Sequence, residues 1–176
     1  MTDTAIWAAP VAAAAAALIV PMVGAKWMTS ANWAAALVVG VLGAAAVGLR
    51  VAAAVGESPV DALDLVGAAF LAVGVVVGAS SAVLAPSYLR HRTRGFFDNG
   101  PRWYYFAFYL FWAMLLAIPS VQNLGVAWAL VGVSTGVTGL LVAYSGTGRA
   151  LEAGWKYLIL TTLGLVVALM GILILY

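Results

Sequence analysis

Three long apolar runs in the C-terminal part of this chain leave it few ways to fold outside a membrane. They extend from Trp103 to Ile118, Val126 to Tyr144 and Tyr157 to Tyr176, separated by two short connections. At ~1.5 Å per helical residue, each crosses most or all of a ~30 Å hydrocarbon layer. With 65% hydrophobic and 8% charged residues, a water-soluble domain would expose more apolar surface than water tolerates. A transmembrane β-barrel needs alternating apolar and polar positions, and runs such as AAAAAALIV and LAVGVVVGA do not alternate. The expected fold class is all-α, a polytopic membrane protein of about six transmembrane helices. Residues 1–176 read as a single transmembrane domain, with helices 1–3 in 1–87, a basic loop at 88–102 and helices 4–6 in 103–176.

The chain has no cysteine, which excludes disulfides and thiolate ligation of zinc or iron–sulfur clusters. A lone His91 among arginines is a poor start for haem or metal. No cofactor and no metal are expected. The net charge of +2 comes mostly from a few loop arginines, so a nucleic-acid partner is an unneeded explanation.

Ala5 to Val23 lacks the basic residues that precede a signal-peptide core and reads as a first spanning helix, with Pro10 and Pro21 within it or at its end. Lys26, Trp27 and Trp33 form an interfacial anchor set. A second helix is expected over Ala34 to Val55, its small residues implying close contacts, with Arg50 snorkelling outward along its aliphatic stem. Glu57, Asp61 and Asp64 follow. A paired-carboxylate reading competes there with acidic residues favoured by the first turn of a helix opened by Ser58-Pro59, and the second explains them with less. Helix three is expected from Leu65 to Leu84. Ser80 and Ser81 have no base beside them and should bond to backbone carbonyls.

The longest polar segment, APSYLRHRTRGFFDNGPR, carries Arg90, Arg92, Arg94 and Arg102 against Asp98. It can be a topogenic cytoplasmic loop, an anionic-lipid patch or a contact for a soluble partner subunit, and these are compatible with one another. The first, third and fifth loops carry Lys26, the four arginines, then Arg149 and Lys156. The positive-inside rule therefore puts both termini on the non-cytoplasmic side of the cytoplasmic (inner) membrane.

The fourth span opens with aromatics from Trp103 to Trp112, read as an interfacial belt running into an interhelical or lipid-facing surface rather than a quinone box. The fifth holds Ser134, Thr135 and Thr138, and its Gly132 and Gly136 have the GxxxG spacing that permits close backbone approach. The sixth opens with Glu152 and Lys156, four apart in the orientation favourable for a helical ion pair. Two placements are open for Lys156: a solvated helix end worth little, or a charge drawn into the bundle and therefore functional.

The run NLGVAWALVGVSTGVTGLLVAY, followed by ALEAGWKYLIL and a closing LGLVVALMGILILY, resembles the antiporter-like proton-translocating membrane subunits of complex I and the membrane-bound hydrogenases. The nearest type is hydrogenase-4 component F. VDALDLVGAAFLAVGVVVGASSAVLAPSYLRHR is similar to the same family's third helix and following loop, so the resemblance covers residues 60–176, most distinctively at EAGWKYLIL. It implies proton translocation in step with redox chemistry in other subunits, with Lys156 matching the family's sixth-helix lysine and Glu152 before it. Members place a glutamate in the fifth helix a few residues after the aromatic corresponding to Trp128, where this chain has Gly132. Members also have about fourteen helices in inverted repeats with a broken helix in each, which makes this sequence a truncated relative.

Proton transfer needs ionisable or hydroxyl groups at hopping intervals, and the candidates are Lys156, Glu152, Ser134, Thr135 and Thr138. The leading expectation is a membrane subunit of a complex I-like, hydrogenase-like or inorganic-carbon-uptake assembly, with other membrane subunits, a soluble cytoplasmic subunit and lipid as partners. A stand-alone oligomeric proton or cation transporter and a purely structural anchor are the alternatives. No catalytic residues of its own are visible, since the GTGR turn at 146–149 lacks the Lys-Ser/Thr of a phosphate loop.

Overall fold

The computed structural model describes residues 7–24, 26–56, 62–90 and 100–175. Among them there are six α-helices and no strand: α1 (Ala8–Met22), α2 (Met28–Gly56), α3 (Ala62–Arg90), α4 (Pro101–Ala117), α5 (Leu124–Ala143) and α6 (Gly148–Leu175). A 3-10 turn, Ile118–Ser120, continues directly from α4. Five helices are long and apolar enough to cross a membrane, and α1, with 15 residues, is apolar but shorter. The chain is an all-α, multi-pass membrane protein.

α2 and α6 start well before hydropathy suggests. α2 begins at Met28 rather than Ala34, with the Ala31 amide already bonded to the Trp27 carbonyl at 2.9 Å. α6 begins at Gly148 rather than Tyr157, because the Thr147 hydroxyl accepts from the Ala150 amide at 3.2 Å and Ala-Leu-Glu-Ala are good helix formers. Glu57, Asp61, His91, Arg92, Arg94 and Asp98 lie outside the described residues, as does the side chain of Asp64.

The core forms where α1 to α4 meet. α4 supplies its bulk: Tyr105, Phe108, Tyr109, Trp112 and Leu116 recur at helical spacing and are all buried. α1 packs on both α2 and α4, and its buried face is a stripe of Ala9, Ala13, Ala16, Ala17 and Val20. In lipid there is no hydrophobic gain from burying one apolar face on another, so large rings against small side chains matter through van der Waals fit. α3 makes room in the same way: a Cβ at Gly78 would fall within the Trp112 indole.

Polar bonds hold these helices at depth. The Trp112 indole donates to the Gly74 carbonyl at 3.0 Å. Asn32, fully buried on α2, donates from Nδ2 to the Ala82 carbonyl of α3 at 2.8 Å, and Tyr109 of α4 donates its hydroxyl to Asn32. Each pairs a buried polar group with an acceptor, as hydrocarbon demands.

α5 and α6 are added to one side of this core. α5 packs on α4, and α6 packs on α5. Asn123 caps α5, its Oδ1 accepting from the Gly125 amide at 2.9 Å and the Val126 amide at 3.2 Å.

Candidate functional site

Glu152 and Lys156 lie one turn apart on α6 and form an ion pair. Gly154, between them in sequence, is the buried residue that faces α5. Two positions to either side on a helix is ~200° of rotation, so both charged side chains stand on the opposite face. They are 55% and 54% exposed, and Lys156 Nζ lies 6.0 Å from the centroid of the Trp155 ring. Although α6 begins early, Lys156 is not drawn into this chain's own bundle.

The hydroxyls of α5 are turned inward on their own helix. Ser134 donates to the Val131 carbonyl at 2.8 Å, Thr135 to Gly132 at 2.7 Å and Thr138 to Ser134 at 2.9 Å. Such back-bonding satisfies a hydroxyl within an apolar helix. It commits each hydroxyl proton, and among the described residues no hydrogen bond joins these groups to Glu152 or Lys156.

Gly132 and Gly136 are not where α5 meets α6 most closely. A Cβ at Gly132 would lie 3.8 Å from Leu165, and one at Gly136 would meet nothing within 4 Å. The tight contact uses Gly139 and Gly154 instead: a Cβ at Gly139 would come 2.7 Å from Leu158 Cδ2, and one at Gly154 would come 3.2 Å from the Gly139 carbonyl. Trp128 adds a bond from its indole nitrogen to the Leu165 carbonyl at 2.8 Å.

Arg90 and Arg102 are exposed at the facing ends of α3 and α4. The Tyr88 and Tyr104 rings are 5.9 Å apart, the Tyr104 and Tyr144 rings 5.4 Å apart, and the Tyr144 hydroxyl donates to the Gly100 carbonyl at 3.0 Å. The end of α3, the start of α4 and the end of α5 therefore meet at one end of the bundle. Asn32 near the start of α2, bonded near the end of α3, places the Lys26 turn there too. Lys26, Arg90, Arg102, Arg149 and Lys156 share that end.

Arg50 is at the other end, and there the expectation of outward snorkelling is corrected. Its side chain crosses inward and is only 7% exposed. Nη1 donates to the Pro119 carbonyl at 2.9 Å and Nη2 to Ser120 Oγ at 3.2 Å. Carbonyls just beyond the end of α4 lack intrahelical partners and carry partial negative charge, which favours a cation. Gly67 of α3 leaves the space, since a Cβ there would lie 2.6 Å from Nη1. The sequence reading missed this contact and the Asn32–Tyr109 pair; the available signal was a polar residue inside each apolar helix, which membranes tolerate only with a partner.

The chain is similar to the hydrogenase-4 component F homolog of Methylacidiphilum infernorum (isolate V4), with 32% identity over 120 residues. The match takes in 66% of this chain and 24% of the relative's length. No family model and no solved structure matches. The resemblance to hydrogenase-4 component F is borne out by this relative.

Proposed function

We propose that this chain is an integral membrane subunit of a larger energy-converting assembly of the complex I-like kind, a hydrogenase, a dehydrogenase or an inorganic-carbon-uptake complex. In this reading it plays the part of the N-terminal half of a proton-translocating antiporter-like subunit. The relative is named as a component, which supports a multi-subunit setting. The structural observation that carries the reading is the outward placement of Glu152 and Lys156 on a helix that packs mainly on α5.

The 28 residues of α6 make ~42 Å of helix against ~30 Å of hydrocarbon. With the apolar stretch from Tyr157 onward in the hydrocarbon, Glu152 and Lys156 stand at the interface, on the face open to a second membrane subunit. Lys156 and its ion-pair partner Glu152 then form this chain's part of the proton path, and the rest is completed across that face. Ser134, Thr135 and Thr138 contribute oxygen lone pairs to bound water rather than their own protons. Arg90 and Arg102, with Arg92 and Arg94 between them in sequence, take a soluble cytoplasmic subunit and anionic lipid, and both termini lie on the non-cytoplasmic side. Close packing through the glycine face of α5 is likewise with another chain at Gly136, where the position is open.

A stand-alone oligomeric transporter would need its own polar path, and the back-bonded hydroxyls favour the assembly over it. Native gel electrophoresis of mildly solubilised membranes tests the proposal. The expected result is a band far heavier than the 18.1 kDa chain that also contains other subunits; a band containing this chain alone overturns it.

A further inference from the structure

We infer that Arg50 is a positioning residue that sets how the α5–α6 pair stands against the α1–α4 core. The two bonds from its guanidinium end on Pro119 and Ser120, the last residues of the turn that closes α4. Only Val121 and Gln122 separate Ser120 from Asn123, the cap of α5. The guanidinium therefore grips the joint from which α5 and α6 depart, while Tyr144 ties the far end of α5 to Gly100 at the start of α4. α5 buries only Ser134, Val137 and Gly139, and α6 only Gly154. With so little buried surface, the direction of the pair depends on its two ends.

Three features mark Arg50 as built into this joint. It is buried, although an arginine near a helix end in a membrane has an inexpensive route to the interface. Its Nε has no hydrogen-bond partner among the described residues, so burial leaves one donor unsatisfied, a cost the two Nη bonds must offset. Finally, glycine at position 67 provides the space that the guanidinium occupies. Both acceptors are neutral, one being a backbone carbonyl that no substitution of Pro119 removes, so the grip is a directed fork rather than a charge pair. The inference rests on this geometry and does not depend on the assembly reading.

Electron-spin distance measurements on the full chain in lipid nanodiscs test it, and the absence of cysteine leaves the labels without competitors. One label pair, Val55→Cys with Met170→Cys, reads core against α6; a second, Leu18→Cys with Val55→Cys, reads the core alone. Arg50→Gln should broaden and shift the first distribution and leave the second unchanged, with Arg50→Lys restoring it in part. An unchanged first distribution in Arg50→Gln overturns the inference. Should Arg50→Gln lose the folded bundle, Gly67→Ala decides, since it displaces the guanidinium without deleting it: a broadened first distribution supports the role, and an unchanged one contradicts it.

Discussion

The Tyr109 hydroxyl lies 2.8 Å from the backbone carbonyl oxygen and 3.0 Å from the side-chain oxygen of Asn32, both residues fully buried. Since Asn32 also reaches Ala82, one side chain joins α2, α3 and α4. Hydrogen bonds between membrane helices contribute about 0.6 kcal/mol on average and about 1.7 at most. Tyr109→Phe should therefore destabilise the chain within that range. Asn32→Leu should cost more, because it strands the Ala82 contact and adds bulk at a buried position. Reversible unfolding in bicelles measures both.

Gly78 faces the Trp112 ring so closely that any Cβ displaces it. Gly78→Ala should cost about 1–3 kcal/mol, the usual penalty of overpacking, and should disturb the bond from Trp112 to the Gly74 carbonyl. Gly43→Ala meets only the Val75 side chain and should cost less. Thermal unfolding followed by circular dichroism, with each variant compared to the unsubstituted chain, distinguishes the two.

The two glycine pairs of α5 and α6 separate packing within the chain from packing with other chains. Gly154→Leu should loosen the α5–α6 contact in the isolated protein, since 3.2 Å to the Gly139 carbonyl leaves no room. Gly136→Leu should leave the isolated chain intact, its position being open, and under the proposed function should reduce recovery of partner subunits. Cysteine crosslinking between α5 and α6, alongside partner recovery, reads both effects.

Lys156→Met should change stability by no more than about 0.5 kcal/mol, because an exposed ion pair within one helix contributes little. Under the proposed function, the same substitution in native membranes should lower redox-driven proton uptake while the subunit remains incorporated. Proton uptake by vesicles, normalised to incorporated protein, measures it; unchanged uptake would remove Lys156 from the path.

Helical class and the six apolar elements were legible because run length against bilayer thickness is a strong constraint. What escaped depended on what lies across from a residue. Arg50 looks the same in sequence whether it snorkels or turns inward, and its acceptors at Pro119 and Ser120 are 69 and 70 positions away. Asn32 sits beside Trp33, so an interfacial reading hid its burial. GxxxG spacing at Gly132 and Gly136 marks a smooth face but not the neighbour it meets, while Gly139 and Gly154 meet across two helices with no shared motif. Sequence alone admits two placements for Lys156, because hydropathy does not register the Thr147 cap and the start of α6 by itself does not show which way the lysine faces.

Under the proposed function, this chain works as one part of a membrane assembly. Affinity recovery of the tagged chain from its own membranes in mild detergent, with mass identification and quantification of what accompanies it, tests that claim most directly. A long antiporter-like membrane subunit and a soluble hydrogenase, dehydrogenase or carbon-uptake protein are expected in fixed ratio to the chain. Recovery of the chain alone as a discrete oligomer would contradict it.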